Sequence, residues 1–169
     1  MASEPMRMEA VRAFRVAFRH QQAGDLERAV YHYRRSLELL STAEAYTFLG
    51  WACSCQGRLE EAIEHCRKAV GIDPDFSNPY NDIGAYLLEL GRVEESLSWF
   101  ERALEAPRCQ SHCHPHYNLG RALIRLGRFT EAAESLHSAL EEQPGFRPAL
   151  LALHHLPGHE TEDPAGSRG

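Results

Sequence analysis

The sequence predicts an all-α protein built from four helix-turn-helix repeats in tandem and closed by a short C-terminal capping helix. Three observations predict it. The phrase Gly24-Asp-Leu-Glu-Arg-Ala-Val returns as Gly57-Arg-Leu-Glu-Glu-Ala-Ile, Gly91-Arg-Val-Glu-Glu-Ser-Leu and Gly127-Arg-Phe-Thr-Glu-Ala-Ala, its glycines 33, 34 and 36 residues apart. Seven positions before each glycine stands a small residue: Ala17, Gly50, Gly84 or Gly120. After it, a small residue (Ala29, Ala62, Ser96, Ala132) is followed four later by Tyr33, Cys66, Phe100 or Leu136, and three further on by Ser36, Ala69, Ala103 or Ala139. Two helices approach closely only where neither presents bulk at the crossing, so each repeat reads as two helices of about fourteen residues joined by a glycine turn.

The elements follow in order. Residues 1–9 form an N-terminal extension, its first six or so expected to fray. The repeats span 10–42, 43–76, 77–112 and 113–146. Pro74 and Pro144 end the second helices of the second and fourth repeats, because proline cannot continue the hydrogen-bond ladder. The third repeat carries an insertion around Pro107. Residues 147–156 are expected to be the capping helix, with Pro148 tolerated in its first turn and its leucines covering the last open face. Residues 157–169 lack the apolar content to pack and are expected to form a disordered tail.

Composition limits the function. Eighteen basic against 24 acidic residues give a net charge of −6, which argues against general binding to nucleic acid or to an anionic membrane. The charge is uneven: +3 over residues 1–35, −8 over 36–106 and −1 over 107–169. No apolar run reaches the ~20 residues of a membrane span, and the start of the chain has no apolar export segment. A cytoplasmic protein with its five cysteines reduced is therefore expected.

The small-large-small signature and the period near 34 residues resemble the tetratricopeptide repeat (TPR) family over roughly four fifths of the chain. Ala17 replaces that family's usual glycine, and Ser41 stands where a proline is common. The resemblance implies a right-handed superhelical solenoid. Its concave groove would be lined by the first helix of each repeat, and its usual work is holding a peptide or protein segment. Counting from the start of each repeat, the second, fifth, sixth, ninth, twelfth and thirteenth positions share one helix face. They are Val11, Phe14, Arg15, Phe18, Gln21 and Gln22, then Glu44, Thr47, Phe48, Trp51, Ser54 and Cys55. The third repeat gives Asn78, Asn81, Asp82, Ala85, Leu88 and Glu89, and the fourth His114, Tyr117, Asn118, Arg121, Ile124 and Arg125.

Of these, Phe14, Phe18, Phe48 and Trp51 make an aromatic half, and Asn78, Asn81, Asp82, Tyr117, Asn118, Arg121 and Arg125 a polar half. Both are candidate peptide-binding residues, since aromatics and arginine dominate interface energetics, asparagine pairs with a ligand backbone, and Arg121 with Arg125 suits a carboxylate. The bland alternative is that Phe14, Phe18 and Trp51 simply pack against neighbouring helices. Chaperone-binding members of the family grip a C-terminal carboxylate with Lys, Asn and Arg side chains. Here the matching positions hold Phe14, Phe18, Phe48, Asn78 and Asp82, so heat-shock chaperone tails are disfavoured. Self-association through an end of the array remains open.

Cys109, His112, Cys113, His114 and His116 lie within eight residues and form the one stretch with metal-ligand chemistry, giving a metal-binding alternative. Against it, the spacing is not a C-x2-C pair and the segment coincides with the inter-repeat insertion. Cys53 and Cys55 point to different helix faces, and Cys66 reads as core. No phosphate loop, nucleophile elbow or H-E-x-x-H pair is present, so neither enzymatic activity nor a cofactor is expected. Glu60-Glu61 and Glu94-Glu95 belong to the repeated turn phrase, at helix starts where the dipole favours acids.

Overall fold

The computed structural model describes residues 3–109 and 111–158. Among them the chain forms nine helices: α1 (Glu4–Gln22), α2 (Leu26–Leu39), α3 (Ala43–Cys55), α4 (Leu59–Ile72), α5 (Ser77–Glu89), α6 (Val93–Glu105), α7 (Cys113–Arg125), α8 (Phe129–Glu142) and α9 (Arg147–His154). They fall into two compact bodies, Met1–Gln110 and Ser111–Gly169. In the first, α1 packs on α2, α3 on α4 and α5 on α6, while α2–α3, α4–α5 and α3–α5 contacts join successive pairs. In the second, α7 packs on α8, and α9 on both. The first helix starts earlier than expected: helix runs from Glu4, with Pro5 and Glu4 in its first turn, so the N-terminal extension is helical from residue 4 and residues 4–6 are not frayed. The predicted tail from 159 onward lies outside the described residues.

The repeated phrase is a helix stop and a helix start in one. At Gly57 the backbone turns left-handed (φ 76°), which lets the Gly57 N–H reach Ser54 O (2.8 Å) and the Arg58 N–H reach Cys53 O (3.0 Å). Those bonds satisfy carbonyls that the end of α3 would otherwise leave unpaired. Gly24, Gly91 and Gly127 repeat the geometry. The arginine after the glycine then clamps the carboxylate three residues on. Nε-to-carboxylate distances are 2.8 Å for Arg58–Glu61, 2.8 Å for Arg92–Glu95 and 2.7 Å for Arg128–Glu131. The first repeat reverses the polarity: Asp25 caps α2 by accepting from the Arg28 N–H (3.2 Å), and its carboxylate lies 3.5 Å from the Arg28 guanidinium.

Packing within a pair follows the small-large alternation. A Cβ on Gly84 would lie 2.5 Å from Phe100 Cε1, one on Gly50 2.9 Å from Cys66 Sγ, and one on Gly120 2.9 Å from Leu136 Cδ2. The facing residue therefore fills the space that glycine leaves, and Tyr33, Cys66, Phe100 and Leu136 are all fully buried.

The insertion in the third repeat folds back within the first body. Arg108 bonds through its backbone to Asp75 O (2.9 Å) and Ser77 N (3.1 Å), making a short parallel bridge with Phe76. Its guanidinium lies 4.1 Å over the Phe76 ring and pairs with Glu44 (2.9 Å) and Asp73 (2.6 Å). One side chain thus links the first turn of α3 to the end of α4. The capping helix covers less than predicted: Leu153 and Leu156 are buried, but Leu150 and Leu151 are 47% and 49% exposed. An eight-residue helix turns only one stripe inward, and these two leucines sit off it.

Candidate functional site

In the first body, the positions predicted to line the groove come together from three consecutive odd-numbered helices. The Phe14 ring meets Tyr33 at 5.4 Å and Phe48 at 5.3 Å, both edge-on, and Phe18 meets Phe48 at 5.7 Å. Phe14 and Phe48 are half-buried, so much of this aromatic group packs internally, as the bland alternative held for Phe14. Trp51 differs, because its indole is 39% exposed. Beside it lies a cavity of about 220 Å³ lined by Gln21, Thr47, Phe48, Trp51, Asn78 and Asp82. Here α1, α3 and α5 converge, and of the predicted residues Phe48, Trp51, Asn78 and Asp82 share one space. Asn81 stands behind, its amide donating to Asp82 Oδ1 at 3.4 Å.

Asp82 is the one ionisable group lining that cavity. Burial pushes its carboxyl up to about 7, and the Asn81 amide opposes this only weakly. Thr47 spends its hydroxyl proton on Ala43 O (2.7 Å), and the Gln21 carbonyl already accepts from the Tyr33 hydroxyl (2.6 Å). A second, apolar cavity of about 380 Å³ lies nearer the chain start, between Ala10, Val11, Phe14, Leu40 and Phe48, with Ser36, Thr42 and Glu44 at its edge.

In the second body, the polar residues serve one another. Arg121 donates to Asn118 Oδ1 (3.1 Å) and its guanidinium lies 5.6 Å from the Tyr117 ring centroid, while Tyr117 also meets Phe146 edge-on at 5.4 Å. Arg125 is exposed on the next turn. Sequence reasoning missed a cavity of about 450 Å³ between Tyr117 and the capping helix, lined also by Arg147, Pro148, Leu151, Ala152 and His155. Its signal was present in Leu151, whose side chain was assigned to the cap.

Among the described residues, those of the 109–116 stretch bring no three ligand atoms within reach of one ion. Cys113 is buried, with Sγ 3.3 Å from His114 Nδ1 and 3.4 Å from Gln143 Oε1, and burial lowers the His116 pKa. Among the described residues, the one group of three possible ligands within reach of an ion lies elsewhere: Cys53, Glu61 and His65. There the Glu61 carboxylate is already held by Arg58 and by Arg34 (3.1 Å), and burial keeps both the Cys53 thiol and the His65 imidazole toward their neutral forms. Two guanidiniums on the only anionic ligand oppose a cation. Among the described residues, no helix is long and apolar enough to cross a membrane.

Comparison with known proteins places this architecture. Tetratricopeptide repeat models match residues 43–76, 80–106 and 114–146, together more than half of the chain. The TPR repeat-containing thioredoxin TTL4 of Arabidopsis thaliana is 31% identical over 74 residues, which is 43% of this chain and 11% of that protein; the chain thus spans about a tenth of that relative. Among solved structures, PilW, a type IV pilus biogenesis factor, is 25% identical with a TM-score of 0.80, covering 85% of this chain and 66% of its own. YrrB, a TPR protein with an unusual peptide-binding site, is 23% identical with a TM-score of 0.64, over 86% and 83% of the two chains. Glycine turns, small-large crossings and three matched repeats lead to one conclusion: the chain belongs to the tetratricopeptide repeat family.

Proposed function

We propose that the protein is a non-enzymatic scaffold that holds a segment of another protein against the inner helices of its first body. The observation that carries this is the cavity shared by α1, α3 and α5, where the exposed Trp51 indole stands among Phe48, Asn78 and Asp82. A large, two-fifths exposed indole beside amide and carboxylate groups supplies what interface anchors need, apolar area with polar groups to orient the ligand. The fold neighbour YrrB is a TPR protein with a peptide-binding site, which is consistent with this use of the architecture. The test is affinity capture with Trp51→Ala beside Tyr31→Ala, a control on the outer helix α2 where the ring is 66% exposed. Captured partners are lost with Trp51→Ala and kept with the control, and the helical circular dichroism of both is unchanged. Capture that survives Trp51→Ala overturns the assignment.

Five free thiols suit a reducing compartment, which supports a cytoplasmic location; subcellular fractionation checks it. The exposed Leu150 and Leu151 on α9 favour a second contact, self-association through the end of the array. Light scattering of the wild type against Leu150→Glu/Leu151→Glu decides it, and a concentration-independent monomer in both removes the idea.

A further inference from the structure

We propose that the cavity between α1, α3 and α5 receives a basic side chain, the ammonium of a lysine or the guanidinium of an arginine carried by the bound segment, with Asp82 as counter-ion and Trp51 and Phe48 as walls. This rests on the groove reading above and gives its ligand a chemistry.

The first argument is charge. Elsewhere in the first body, half-exposed acids have cations: Glu61 and Glu95 are held by arginines of the turn phrase, and Glu44 and Asp73 share Arg108. Asp82 is likewise only partly exposed, yet among the described residues no basic side chain reaches it. Its recorded partner is the neutral Asn81 amide at 3.4 Å. The other groups acting on one another around it are the Tyr86 phenol on its own helix and the Cys66 thiol of α4, both kept neutral by burial. A carboxylate taken from water without a cation costs free energy, and that cost is relieved when a ligand brings the cation. At the same register the other repeats carry Arg15, Phe48 and Asn118, so the acid is particular to this cavity.

The second argument is hydrogen-bond capacity. The Thr47 hydroxyl proton is committed to Ala43 O, which leaves its oxygen to accept. The Gln21 carbonyl has a lone pair beyond the one used by Tyr33, and Asn78 is exposed with its own carbonyl available. An ammonium offers three donors and no acceptor, and a guanidinium five donors and none, so both can use the Thr47, Gln21, Asn78 and Asp82 oxygens of the lining. The third argument is the walls, since the aromatic faces of Trp51 and Phe48 attract cations through their quadrupole. At about 220 Å³ the space is below the roughly 300–1,000 Å³ usual for small-molecule sites and suits one side chain. Arg15 and Arg19, the basic residues of α1 nearest in register, line a separate cavity with Phe14 and Phe18 and leave this one without a competing positive charge.

The test titrates the full chain with the N-acetyl, N′-methylamide derivatives of lysine, arginine and norleucine at pH 7.5. The Trp51 indole N–H and the backbone amides of residues 47–51, 78 and 80–82 are followed by heteronuclear NMR. Lysine and arginine derivatives give saturable shifts, with norleucine at least tenfold weaker. Asp82→Asn, confirmed folded by its spectrum, weakens the lysine derivative at least tenfold and leaves norleucine unchanged. Norleucine binding as well as lysine, lysine binding that survives Asp82→Asn, or no saturable shift from any probe overturns the proposal. The groove reading fails separately, through protein capture that survives Trp51→Ala.

Discussion

Asp82 makes stability depend on pH in a direction opposite to that of most surface acids. Its carboxyl sits near 7 in the fold against 3.8 for the free group, so the native state binds a proton more tightly than the unfolded chain does. A raised acid contributes full stability below the unfolded value, and the contribution is lost as pH rises toward the folded one. Over that window of about three pH units the ceiling is roughly 4 kcal/mol, and partial exposure with water entry reduces it to about 2–3 kcal/mol. Asp82→Asn keeps the shape and the oxygen that accepts from Asn81 while removing the ionisation. The assay is urea unfolding of wild type and variant between pH 4 and pH 8, read by circular dichroism. Because other titrating groups, including His32, His65 and His116, are common to both proteins, their effects cancel in the difference. At pH 4 the midpoints lie close together. At pH 8 the variant is higher by about 1–1.5 M, taking a urea slope of about 2 kcal/mol/M. A difference between the two proteins that stays constant across pH refutes the reasoning.

Gly84→Ala drives a methyl into the Phe100 ring and is expected to cost about 1–3 kcal/mol; adding Phe100→Leu recovers part of it, and strictly additive losses in a double-mutant cycle would contradict the packing described. Arg108→Ala removes two exposed ion pairs and a ring contact, together worth about 1 kcal/mol. Its clearer signature is hydrogen exchange, with the amides of Ser77 and residue 108 losing protection while those in α3 keep theirs. Maleimide labels Cys55 in the folded protein, whereas Cys53, Cys66 and Cys113 react only when urea exposes them; rapid labelling of Cys66 would show that the α3–α4 crossing is open.

Local signals carried most of the fold. The turn glycines and the residues around them specify stop, turn and start within seven positions, so the helix boundaries could be read from one repeat and transferred to the next. The early start of α1 was also written locally, in Glu4 and Pro5, but those residues precede the first repeat and lie outside its pattern. The inner-face register brought Phe48, Trp51, Asn78 and Asp82 to one cavity because helical periodicity alone decides which positions share a face. Contacts made at long sequence separation were not legible. Nothing around Pro107 announces that Arg108 reaches Glu44, 64 residues away. Likewise, Arg34 reaches Glu61, 27 residues on, and Cys53 comes near the same carboxylate only when helices pack. Leu150 and Leu151 failed for a different reason. A run of leucines on a short helix predicts burial for all of them, while the helix has one inward stripe.

The Arg108 loop has a consequence for how the chain tolerates rearrangement. In a strictly periodic array one module can be excised or copied and its neighbours rejoined, because every junction is alike. Arg108 removes that equivalence, since its two carboxylates stand at opposite ends of the second repeat while the arginine itself belongs to the third. Excision of the second repeat strands the guanidinium, and a duplicate copy inserted there offers it two rival sets of acids. The number and order of repeats around this junction are therefore tied to a single side chain, and modular engineering of the protein is best begun elsewhere.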